Sequence, residues 1–337
     1  MQALFIAANG GPEAVKLGEQ PTPEPAPGEA RVRVEAAALN HLDIWVRKGR
    51  PGVPARFPHV LGSDAAGTVD ATGPGVVDWQ PGDAVVVNPG LYQGSDPLVG
   101  GILGAHRPGT FAEYVCVPAA SLAQKPVHLD WREAAALTLA HLTAYRMLAS
   151  RAQVQAGETL LIHGIGGGVA LAALQLAVQM GARVVVTSSS ADKLERARAM
   201  GAYATVNYGA ADDLPRAIRE AAGGEIDVVA DTVGAATWPV NLAVTRKGGR
   251  IVHVGITAGA ETAASIATIY SRQLSVLGST LGSRQELAAL LRLVEVAALA
   301  PVIDTTYPLA EGPAAMARME AGEQFGKLVL RLGGGGL

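Results

Sequence analysis

The chain has 337 residues, enough for two domains of ordinary size, and its 27 basic and 30 acidic residues leave a formal net charge of −3 at pH 7. This balance argues against a broad basic surface for nucleic acid or anionic lipid, and a single cysteine, Cys116, excludes intrachain disulfides and cysteine-cluster zinc sites. Because residues 1–5 show no basic and apolar leader and no apolar run reaches membrane-spanning length, we expect a cytoplasmic protein that binds neither nucleic acid nor membrane.

The first 125 residues are rich in predicted strands and in Pro and Gly. The alternation of apolar and polar residues at 31–36 is typical of a half-buried strand. Further strands are predicted at 3–7, 67–70, 84–88 and 111–117, with a short helical turn at 39–48 and a turn at Gly62-Ser63-Asp64. The glycine-rich loop at 89–108 is long for a compact domain, which is typical of a functional loop or of a remnant.

From residue 130 the pattern becomes helical, and a strand–turn–helix–strand unit follows. Apolar runs at 159–163 and 183–187 flank a glycine turn and a helical pattern at 172–178. A backbone that carries a pyrophosphate needs residues without Cβ at a sharp turn and free N–H groups at a helix start. The turn is therefore predicted to bind a dinucleotide through Gly164, Ile165, Gly166, Gly167, Gly168 and Val169. The alternative is a glycine-rich loop in an unrelated α/β protein.

Strands and helices continue to alternate up to residue 280. Strands are predicted at 226–231, 250–255 and 274–279, and helices at 191–200, 213–222 and 237–244. Alternation at this spacing indicates a parallel sheet, so the predicted fold class is α/β. An amphipathic helix at 283–300 and a strand at 327–332 follow, and we expect the glycine tail at 333–336 to be disordered.

Short motifs spread over nearly the whole chain resemble the medium-chain dehydrogenase/reductase superfamily. They are Ala38-Leu39-Asn40-His41-Leu42-Asp43, Leu61-Gly62-Ser63-Asp64-Ala65-Ala66-Gly67, Pro81-Gly82-Asp83-Ala84-Val85, Gly109-Thr110-Phe111-Ala112-Glu113-Tyr114, Leu142-Thr143-Ala144-Tyr145 and Phe325-Gly326-Lys327. The resemblance implies a Rossmann doubly wound parallel sheet at 126–280, inserted into a β-rich GroES-like catalytic domain at 1–125 plus 281–337. Within the superfamily the chain looks most like the zinc-independent, quinone-oxidoreductase-like branch.

The resemblance also raises the question of zinc, which many members bind. The positions that match the catalytic zinc ligands of those members are Asn40, Ser63 and Leu139, and none of these is a usual zinc ligand. The loop that matches their four-cysteine structural lobe contains no cysteine. We therefore expect neither metal. The alternative is a stray site built from His41, His59 or His106.

The end of the second predicted strand of the nucleotide domain indicates which dinucleotide binds. An acidic residue there would hold the ribose hydroxyls of NAD, but this strand runs into Thr187-Ser188-Ser189-Ser190. In the resembling branch, positions that match Ser189, Lys193 and Tyr208 surround a 2′-phosphate, and a cation with hydroxyls suits that dianion. We predict NADP(H), with Ser188 included in the site. The alternative is NAD held by Asp192, although Asp192 also fits the first turn of the next helix.

Other cofactor contacts are predicted at the carboxyl ends of later strands, where an open parallel sheet places its ligand. By the resemblance, Thr232, Val233, Gly255 and Thr257 line the nicotinamide side, and Thr143 faces it. Phe325 and Lys327, from the motif Phe325-Gly326-Lys327, are also predicted to bind the cofactor. Plain turn or packing roles remain the alternative for Thr232, Thr257 and the glycines.

Without a metal, the substrate must tolerate the negative charge that hydride transfer places on its oxygen. A quinone or conjugated enone spreads this charge over its π system, whereas a simple alcohol is hard to oxidise without a Lewis acid. The predicted function is therefore zinc-free, NADPH-dependent reduction of a small-molecule quinone, enone or other activated carbonyl. Asn40 is the predicted donor to the oxyanion, with Asp43, Ser63 and Asp64 nearby. Asp43 or Asp64 could relay a proton, but structural hydrogen bonding is the default interpretation for both. Trp45 and Tyr92 could form an apolar wall or belong to ordinary packing.

Two rival functions stay open: an alcohol or aldehyde dehydrogenase of the same superfamily, and a non-catalytic NADPH-binding protein. The strand predicted at 274–279 could pair with its copy in a second subunit. We therefore expect a homodimer or a tetramer built from two dimers.

Overall fold

The structure is a computed structural model, and it describes residues 1–49, 56–92 and 99–332. The chain packs as two compact units, one formed by Met1–Leu139 with Gly282–Leu337 and the other by Ala140–Leu281. The second unit is thus inserted into the first, and residues 126–139 pack with the first unit. The exact domain limits stay a prediction. The glycine tail predicted to be disordered lies outside the described residues.

The amino-terminal part of the first unit is mainly β-structure. Its elements in chain order are β1 (Gln2–Ile6), β2 (Val15–Glu19), β3 (Glu29–Ala38), α1 (His41–Lys48), β4 (His59–Val60), β5 (Asp64–Thr72), β6 (Ala84–Val87), β7 (Gly90–Tyr92), β8 (Val99–Ile102), β9 (Tyr114–Pro118) and β10 (Leu122–Gln124). In β3 the side chains of Val32 and Val34 are buried while Arg33 is exposed, which is the alternation that the sequence predicted.

The helix α2 (Trp131–Tyr145) runs from the first unit into the second and continues as a wider helical turn at Arg146–Arg151. The inserted unit then alternates strand and helix: β11 (Thr159–Ile162), α3 (Gly168–Gln179), β12 (Arg183–Ser188), α4 (Ala191–Ala199), β13 (Ala204–Asn207), α5 (Leu214–Ala222), β14 (Ile226–Asp231), α6 (Trp238–Val244), β15 (Thr245–His253), α7 (Ile266–Ser271) and β16 (Ser275–Gly278). The last part of the chain adds α8 (Arg284–Val296), β17 (Ile303–Pro308), α9 (Gly312–Glu320) and β18 (Lys327–Arg331) to the first unit.

The sheet of the inserted unit has six parallel strands in the order β13-β12-β11-β14-β15-β16. The chain order reverses at β11, so the carboxyl ends of β11 and β14 border the switch point where such sheets bind ligands. This confirms the predicted α/β fold with a parallel sheet. Its core contains Leu161, Val185, Val229 and Ile251.

The larger sheet of the first unit brings three distant stretches of chain together. Strand β3 pairs antiparallel with both β5 and β18, and Ala38 at its end lies opposite Asp64 on one side and Val329 on the other. Asn40, Asp64 and Lys327 therefore lie at neighbouring strand ends. The core behind them includes Val34, Val85 and Phe111.

The structure departs from the predicted elements in several places. Asp64 belongs to β5 and not to a turn before it, because its backbone pairs with Ala38. The predicted loop at 89–108 contains the paired strands β7 and β8, although residues 93–98 lie outside the described part. The sequence patterns missed several elements that are short or lack a clear period: β2, β4, β10, β13, β17, α7 and α9. Among the described residues, no helix combines the length and apolar character needed to cross a bilayer.

Candidate functional site

The glycine turn of the inserted unit links β11 to α3. Gly164 and Gly166 adopt φ of +64° and +137°, a region open to glycine at little cost. Gly167 is different: its φ is −75°, and an added Cβ would meet no described protein atom within 4 Å. The sequence assigned all four glycines of the turn to sharp bending or close approach. The backbone requires glycine at 164 and 166, whereas at 167 only an approaching ligand would.

The helix α3 begins at Gly168 with no side chain capping its amino terminus, because the preceding residue is Gly167. The first N–H groups of a helix have no partner inside it, so this end can receive an anion. Ile165 is buried and its N–H donates to Thr187 O at 2.8 Å, while Val169 is half-buried in the first helical turn. The turn thus offers backbone groups more than side chains.

The end of β12 carries the residues predicted to select the nucleotide. Ser188 Oγ accepts the Ser190 N–H at 3.1 Å, which leaves Ser189 exposed at the turn. Ser190 caps α4 by accepting the Lys193 N–H, so Lys193 lies in the first turn of that helix. Tyr208 follows the adjacent strand β13, is 45% exposed, and donates its N–H to Ser188 O at 3.1 Å. Ser189, Lys193 and Tyr208 therefore follow two neighbouring strand ends.

Asp192 does not stand at the end of β12. It lies in the first turn of α4, its side chain is 76% exposed, and its carboxylate is 3.9 Å from Arg196 one helical turn later. Such a carboxylate complements the helix dipole. No acidic side chain follows β12 before α4.

The turns after β14 and β15 hold the residues predicted for the nicotinamide side. Thr257 Oγ1 donates to Thr232 O at 3.2 Å, and the Ala258 N–H donates to Val233 O at 2.9 Å. Gly255 has φ of +96°, and a Cβ there would lie 3.0 Å from Thr232 O. The two turns are thus bonded to each other, which accounts for Thr257 and Gly255 structurally and leaves their cofactor role a prediction.

A chain of hydrogen bonds under these turns escaped the sequence analysis. The Gly164 N–H donates to Thr187 Oγ1, which lies 3.2 Å from His163 Nδ1. His163 Nε2 lies 2.8 Å from Asn241 Oδ1, and Asn241 Nδ2 donates to Asp231. Because Asn241 uses its N–H toward Asp231, its oxygen must accept from His163, which places a proton on Nε2 of the imidazole. Burial lowers the pKa of His163.

Asp231 is the anion at the end of this chain. Its side chain is fully buried, and it accepts the Val233 N–H at 2.6 Å and the Thr237 hydroxyl at 2.6 Å. Burial acts to raise the pKa of Asp231, but these donors stabilise the carboxylate and hold the pKa below its usual value. The glycine turn and the turn after β14 are thereby held by one network. A lone histidine at the end of an apolar strand was its one visible sign in the sequence.

Two other predicted cofactor residues are buried. Thr143 is 4% exposed in α2, and Phe325 is 2% exposed in the first unit, where its N–H donates to Asp304 at 3.0 Å. The third, Lys327, contacts a different set of residues, Asn40 and Asp64 of the first unit.

The polar cluster of the first unit centres on a buried ion pair. Lys327 Nζ donates to Asp64 Oδ2 at 3.0 Å and to Asn40 Oδ1 at 2.6 Å. The side chains of Lys327 and Asp64 are 5% and 0% exposed. The other carboxylate oxygen of Asp64 accepts the Thr138 hydroxyl and the Leu139 N–H, both at 2.7 Å. All of these residues belong to the same compact unit.

Asn40 has its amide group fully engaged within this cluster. Its Nδ2 donates to Asp64 Oδ2 at 3.0 Å and to Ala38 O at 3.3 Å. The Lys327 ammonium fixes this orientation, because the reverse one would set two donors face to face. This geometry leaves Asn40 no amide hydrogen for a substrate oxyanion and so does not support the predicted donor role.

Asp43 lies next to this cluster in α1. It is fully buried, and its Oδ2 accepts the Asn40 N–H at 2.7 Å, while Oδ1 has no hydrogen-bond partner among the described residues. Burial raises the pKa of Asp43 to about 7, although the Asn40 amide and the nearby Lys327 charge act to lower it. Asp43 can therefore hold or release a proton near neutral pH.

Ser63 faces away from the ion pair. Its hydroxyl donates to Leu103 O at 2.8 Å and is buried. Gly62, just before it, has φ of +100°, and a Cβ there would clash with Phe111 and Thr110. Thr110 in turn donates its hydroxyl to Asp64 O at 2.8 Å. The glycine lets the two chain segments pass closely enough to fix the start of β5.

The residues present do not fit a catalytic zinc. At the three positions that match zinc ligands, Asn40 is held by Lys327, Ser63 is bonded to a carbonyl, and Leu139 offers only an apolar side chain. Zinc sites use thiolate, imidazole or carboxylate ligands, and a buried ammonium in contact with the Asp64 carboxylate would repel a divalent cation.

The histidines proposed as an alternative zinc site are not arranged to bind a metal ion together. His59 Nε2 lies 2.8 Å from Gly104 O, and His106 Nδ1 accepts the Ile102 N–H at 3.0 Å. Burial and the Lys327 charge lower the pKa of His41. In the part of the chain that the structure describes, no group of three or more His, Cys, Asp or Glu residues could hold a metal ion.

Sequence reasoning missed Thr138 and the place of Lys327 in this cluster. A lysine that opens an otherwise apolar strand must be either exposed or paired, and burial of β18 requires pairing. Tyr92, predicted as a possible apolar wall, donates its hydroxyl to Gly282 O at 2.6 Å and has Arg284 over its ring. Tyr92 therefore has a packing role in the first unit, and the placement of Trp45, which is half-buried in α1, does not decide its role.

Two family models match the chain. The alcohol dehydrogenase GroES-like domain matches residues 26–127, and the domain described as a zinc-binding dehydrogenase matches residues 168–296.

Similar proteins span nearly the full length. The quinone oxidoreductase of Pseudomonas aeruginosa is 31% identical over 97% of this chain and 98% of its own. The crystal structure of an NAD-dependent alcohol dehydrogenase has a TM-score of 0.93 and 45% identity, covering 99% of this chain and 100% of the other. The 2-octenoyl-CoA carboxylase reductase CinF from a Streptomyces species, in complex with NADP and 2-octenoyl-CoA, has a TM-score of 0.91 and 31% identity, covering 98% and 87%.

Proposed function

Since this chain belongs to the medium-chain dehydrogenase/reductase superfamily, we propose that it is a zinc-free, NADPH-dependent oxidoreductase that transfers hydride to a quinone, an enone or another activated carbonyl compound. The single observation that carries the proposal is the state of the three ligand positions in the first unit. Asn40, Ser63 and Leu139 provide no donor set for zinc, and Lys327 places an ammonium beside Asn40.

The chemistry follows from the lack of zinc ligands at these three positions. Hydride addition leaves an electron pair on the substrate oxygen, and a metal-dependent enzyme offsets this charge with its cation. A quinone or enone delocalises the charge, so hydrogen bonds and a proton suffice. Asp43, whose pKa lies near 7, is a group that could hold the proton for such a step.

Similar proteins support the class of acceptor. The quinone oxidoreductase of P. aeruginosa is named for a quinone, and CinF is complexed with 2-octenoyl-CoA, whose C=C bond is conjugated to a thioester carbonyl. Both are electron-poor acceptors of the kind that the metal-free cluster favours.

The cofactor preference is supported by the end of β12. Ser189, Lys193 and Tyr208 offer hydroxyls and a cation at neighbouring strand ends, which suits a 2′-phosphate. CinF is complexed with NADP. The opposing observation is that the 45% identical alcohol dehydrogenase is NAD-dependent, so NADH is the rival cofactor.

The test is a panel of quinones, enones, enoyl thioesters, aldehydes and alcohols, assayed with NADPH and NADH, each with and without a chelator. We expect turnover of quinones or enones with NADPH, unchanged by chelation and without oxidation of simple alcohols. Loss of activity after removal of bound zinc would contradict the zinc-free assignment.

A second candidate is an alcohol or aldehyde dehydrogenase, favoured by the 45% identical structure. It predicts that alcohols are oxidised with NAD and that quinones are inert in the same panel. A non-catalytic NADPH-binding protein is the third candidate, and it predicts cofactor binding with no turnover of any acceptor.

A further inference from the structure

The positions that match zinc ligands surround a cation that belongs to the chain itself. Lys327 Nζ lies 2.6 Å from Asn40 Oδ1, and Asp64, its carboxylate partner at 3.0 Å, also accepts the Leu139 N–H. Asn40 and Leu139 are two of the three matching positions. The third, Ser63, directly precedes Asp64 in the sequence but bonds elsewhere.

Because Lys327 is buried, its charge acts strongly on neighbouring groups. Lys327 is 4% exposed and Asp64 is 0% exposed, so water screens their charges little. The titratable groups that face Lys327 are Asp64 at its side, and Asp43 and His41, whose pKa values it influences, on α1. One carboxylate is in direct contact with the ammonium. Any divalent ion bound here would have to share that carboxylate with Lys327 at a separation of a few ångströms.

The ammonium also keeps one unused donor. It has three N–H groups, of which two donate to Asn40 and Asp64. The third has no acceptor among the described residues. Asn40, whose own amide hydrogens are engaged, cannot provide such a donor.

We propose that the Lys327 ammonium takes the place of the metal in this cluster: it keeps divalent cations out, and its third N–H stabilises the oxyanion formed from the acceptor. The second half rests on the proposed function. In that step, the C–H bond at C4 of the reduced nicotinamide breaks and a C–H bond forms at the acceptor carbon. The displaced electron pair moves to the acceptor oxygen, where Lys327 donates a hydrogen bond, and a proton from water completes the product. NADPH is oxidised and the acceptor is reduced by two electrons.

The first half is tested by metal binding, independently of any reductase activity. A pair of zinc-type ligands is introduced next to Asp64 by Asn40→Cys with Leu139→His, once with Lys327 retained and once with Lys327→Met. The probe is Co²⁺, followed by the visible absorption of its thiolate and imidazole complexes and by the melting temperature. We expect saturable binding at least about tenfold tighter, and a rise in melting temperature, only in the variant without the ammonium. Equal behaviour of the two variants, including no binding in either, would overturn this half.

The second half is tested by chemical rescue. Lys327→Ala should lower kcat for quinone or enone reduction by about 100-fold, as loss of one oxyanion donor does. Ethylammonium, which can enter the vacated space and donate N–H bonds, should restore kcat saturably, whereas tetramethylammonium should not. Lys247→Ala, at an exposed position of the inserted unit, is the matched control and should respond to neither cation.

If Lys327 had only a structural role, ethylammonium would not restore the kcat of Lys327→Ala. Failure of ethylammonium to raise kcat in a Lys327→Ala protein that melts like the wild type would overturn the second half. If the alanine variant is unfolded, the pair Lys327→Arg and Lys327→Met decides: equal kcat values would overturn it, because only arginine keeps the charge. If the wild type reduces none of the acceptors, the proposed function fails, and the Co²⁺ experiment still decides the first half.

Discussion

Among single residues, Lys327 and Asp64 of the first unit form a buried ion pair whose removal from water costs free energy. The side chains of Lys327 and Asp64 are 5% and 0% exposed, and every oxygen of Asp64 accepts a hydrogen bond. A buried pair adds little stability over an apolar pair of the same shape, but removal of one partner leaves an uncompensated charge. The consequences of mutation should therefore be asymmetric between buried and exposed pairs.

Asp64→Asn should lower the free energy of unfolding by about 3–5 kcal/mol, because the Lys327 ammonium loses its counter-charge. The matched control is Asp70→Asn, which removes the carboxylate paired with Arg31 at 2.6 Å in a 29% exposed position. That change should cost about 1 kcal/mol or less. Denaturant unfolding measures both, and similar losses in the two variants would contradict the assignment of a buried, unscreened pair.

The raised pKa of Asp43 predicts that the stability of the folded chain depends on pH. Its pKa is raised from 3.8 to about 7 in the folded chain, so the folded state holds a proton that the unfolded state releases. Stability from this group is complete below about pH 4 and is lost as the pH rises to about 7. Asp43→Asn cannot ionise and keeps the acceptor for the Asn40 N–H. The stability of the variant relative to the wild type should therefore increase between pH 4 and 7, and a pH-independent difference would refute the raised pKa.

Lys193 predicts the nucleotide preference. If it pairs with a 2′-phosphate, Lys193→Ala should raise the KM for NADPH roughly 10- to 150-fold, because a charge-assisted hydrogen bond contributes roughly 1.5–3 kcal/mol, and should leave the KM for NADH unchanged. Lys247→Ala is again the control. Equal effects on the two cofactors would contradict a contact between Lys193 and a 2′-phosphate.

At the scale of elements, the turn between β11 and α3 separates glycines needed by the fold from one needed by a ligand. Gly164→Ala should destabilise the chain by about 1–2 kcal/mol, since φ of +64° is costly for a residue with a Cβ. Gly167→Ala should not change stability, because φ is −75° and the space around its Cβ is open.

The same pair of variants tests where the diphosphate lies. If its oxygens approach the backbone at the start of α3, the extra methyl of Gly167→Ala should weaken NADPH binding by about tenfold or more at unchanged melting temperature. Calorimetric titration measures this directly. An unchanged affinity for NADPH would show that the diphosphate does not bind at this turn.

Across the whole molecule, the outer edge of the inserted sheet at β16 has no strand partner among the described residues. Strand β16 pairs on one side with β15, and Val276 in it is 43% exposed. Tyr270 and Ile266, on the preceding helix α7, are 79% and 71% exposed. An open strand edge beside exposed apolar side chains is typical of an interface, and an antiparallel pair of identical edges gives a closed two-fold dimer.

We therefore expect the protein to sediment as a dimer, or a tetramer of two dimers, at micromolar concentration. Val276→Lys should shift it toward the monomer by placing two like charges at the interface. Val296→Lys, at an 88% exposed position of α8 in the other unit, is the control and should change nothing. A wild-type monomer at that concentration would rule out this interface.

Features that depend on local pattern could be predicted from the amino-acid sequence. The alternation of strands and helices, the glycine turn at 164–168 and the serine-rich end of β12 are short-range features, because periodicity reports which face of an element is buried. The positions of Asn40, Asp43, Ser63 and Asp64 as candidates came from short motifs of the same kind.

The grouping of these residues could not be predicted in this way, because it depends on how distant segments pack. Lys327 lies 287 positions from Asn40 in the chain, yet the two are bonded because β18 and β5 both pair with β3. Thr138 and Leu139 reach Asp64 in the same way, through packing of a distant helix. The hydrophobic pattern along the chain reports the periodicity of single helices and strands. Strand pairing determines which strand ends lie side by side, and therefore which charged side chains are buried together.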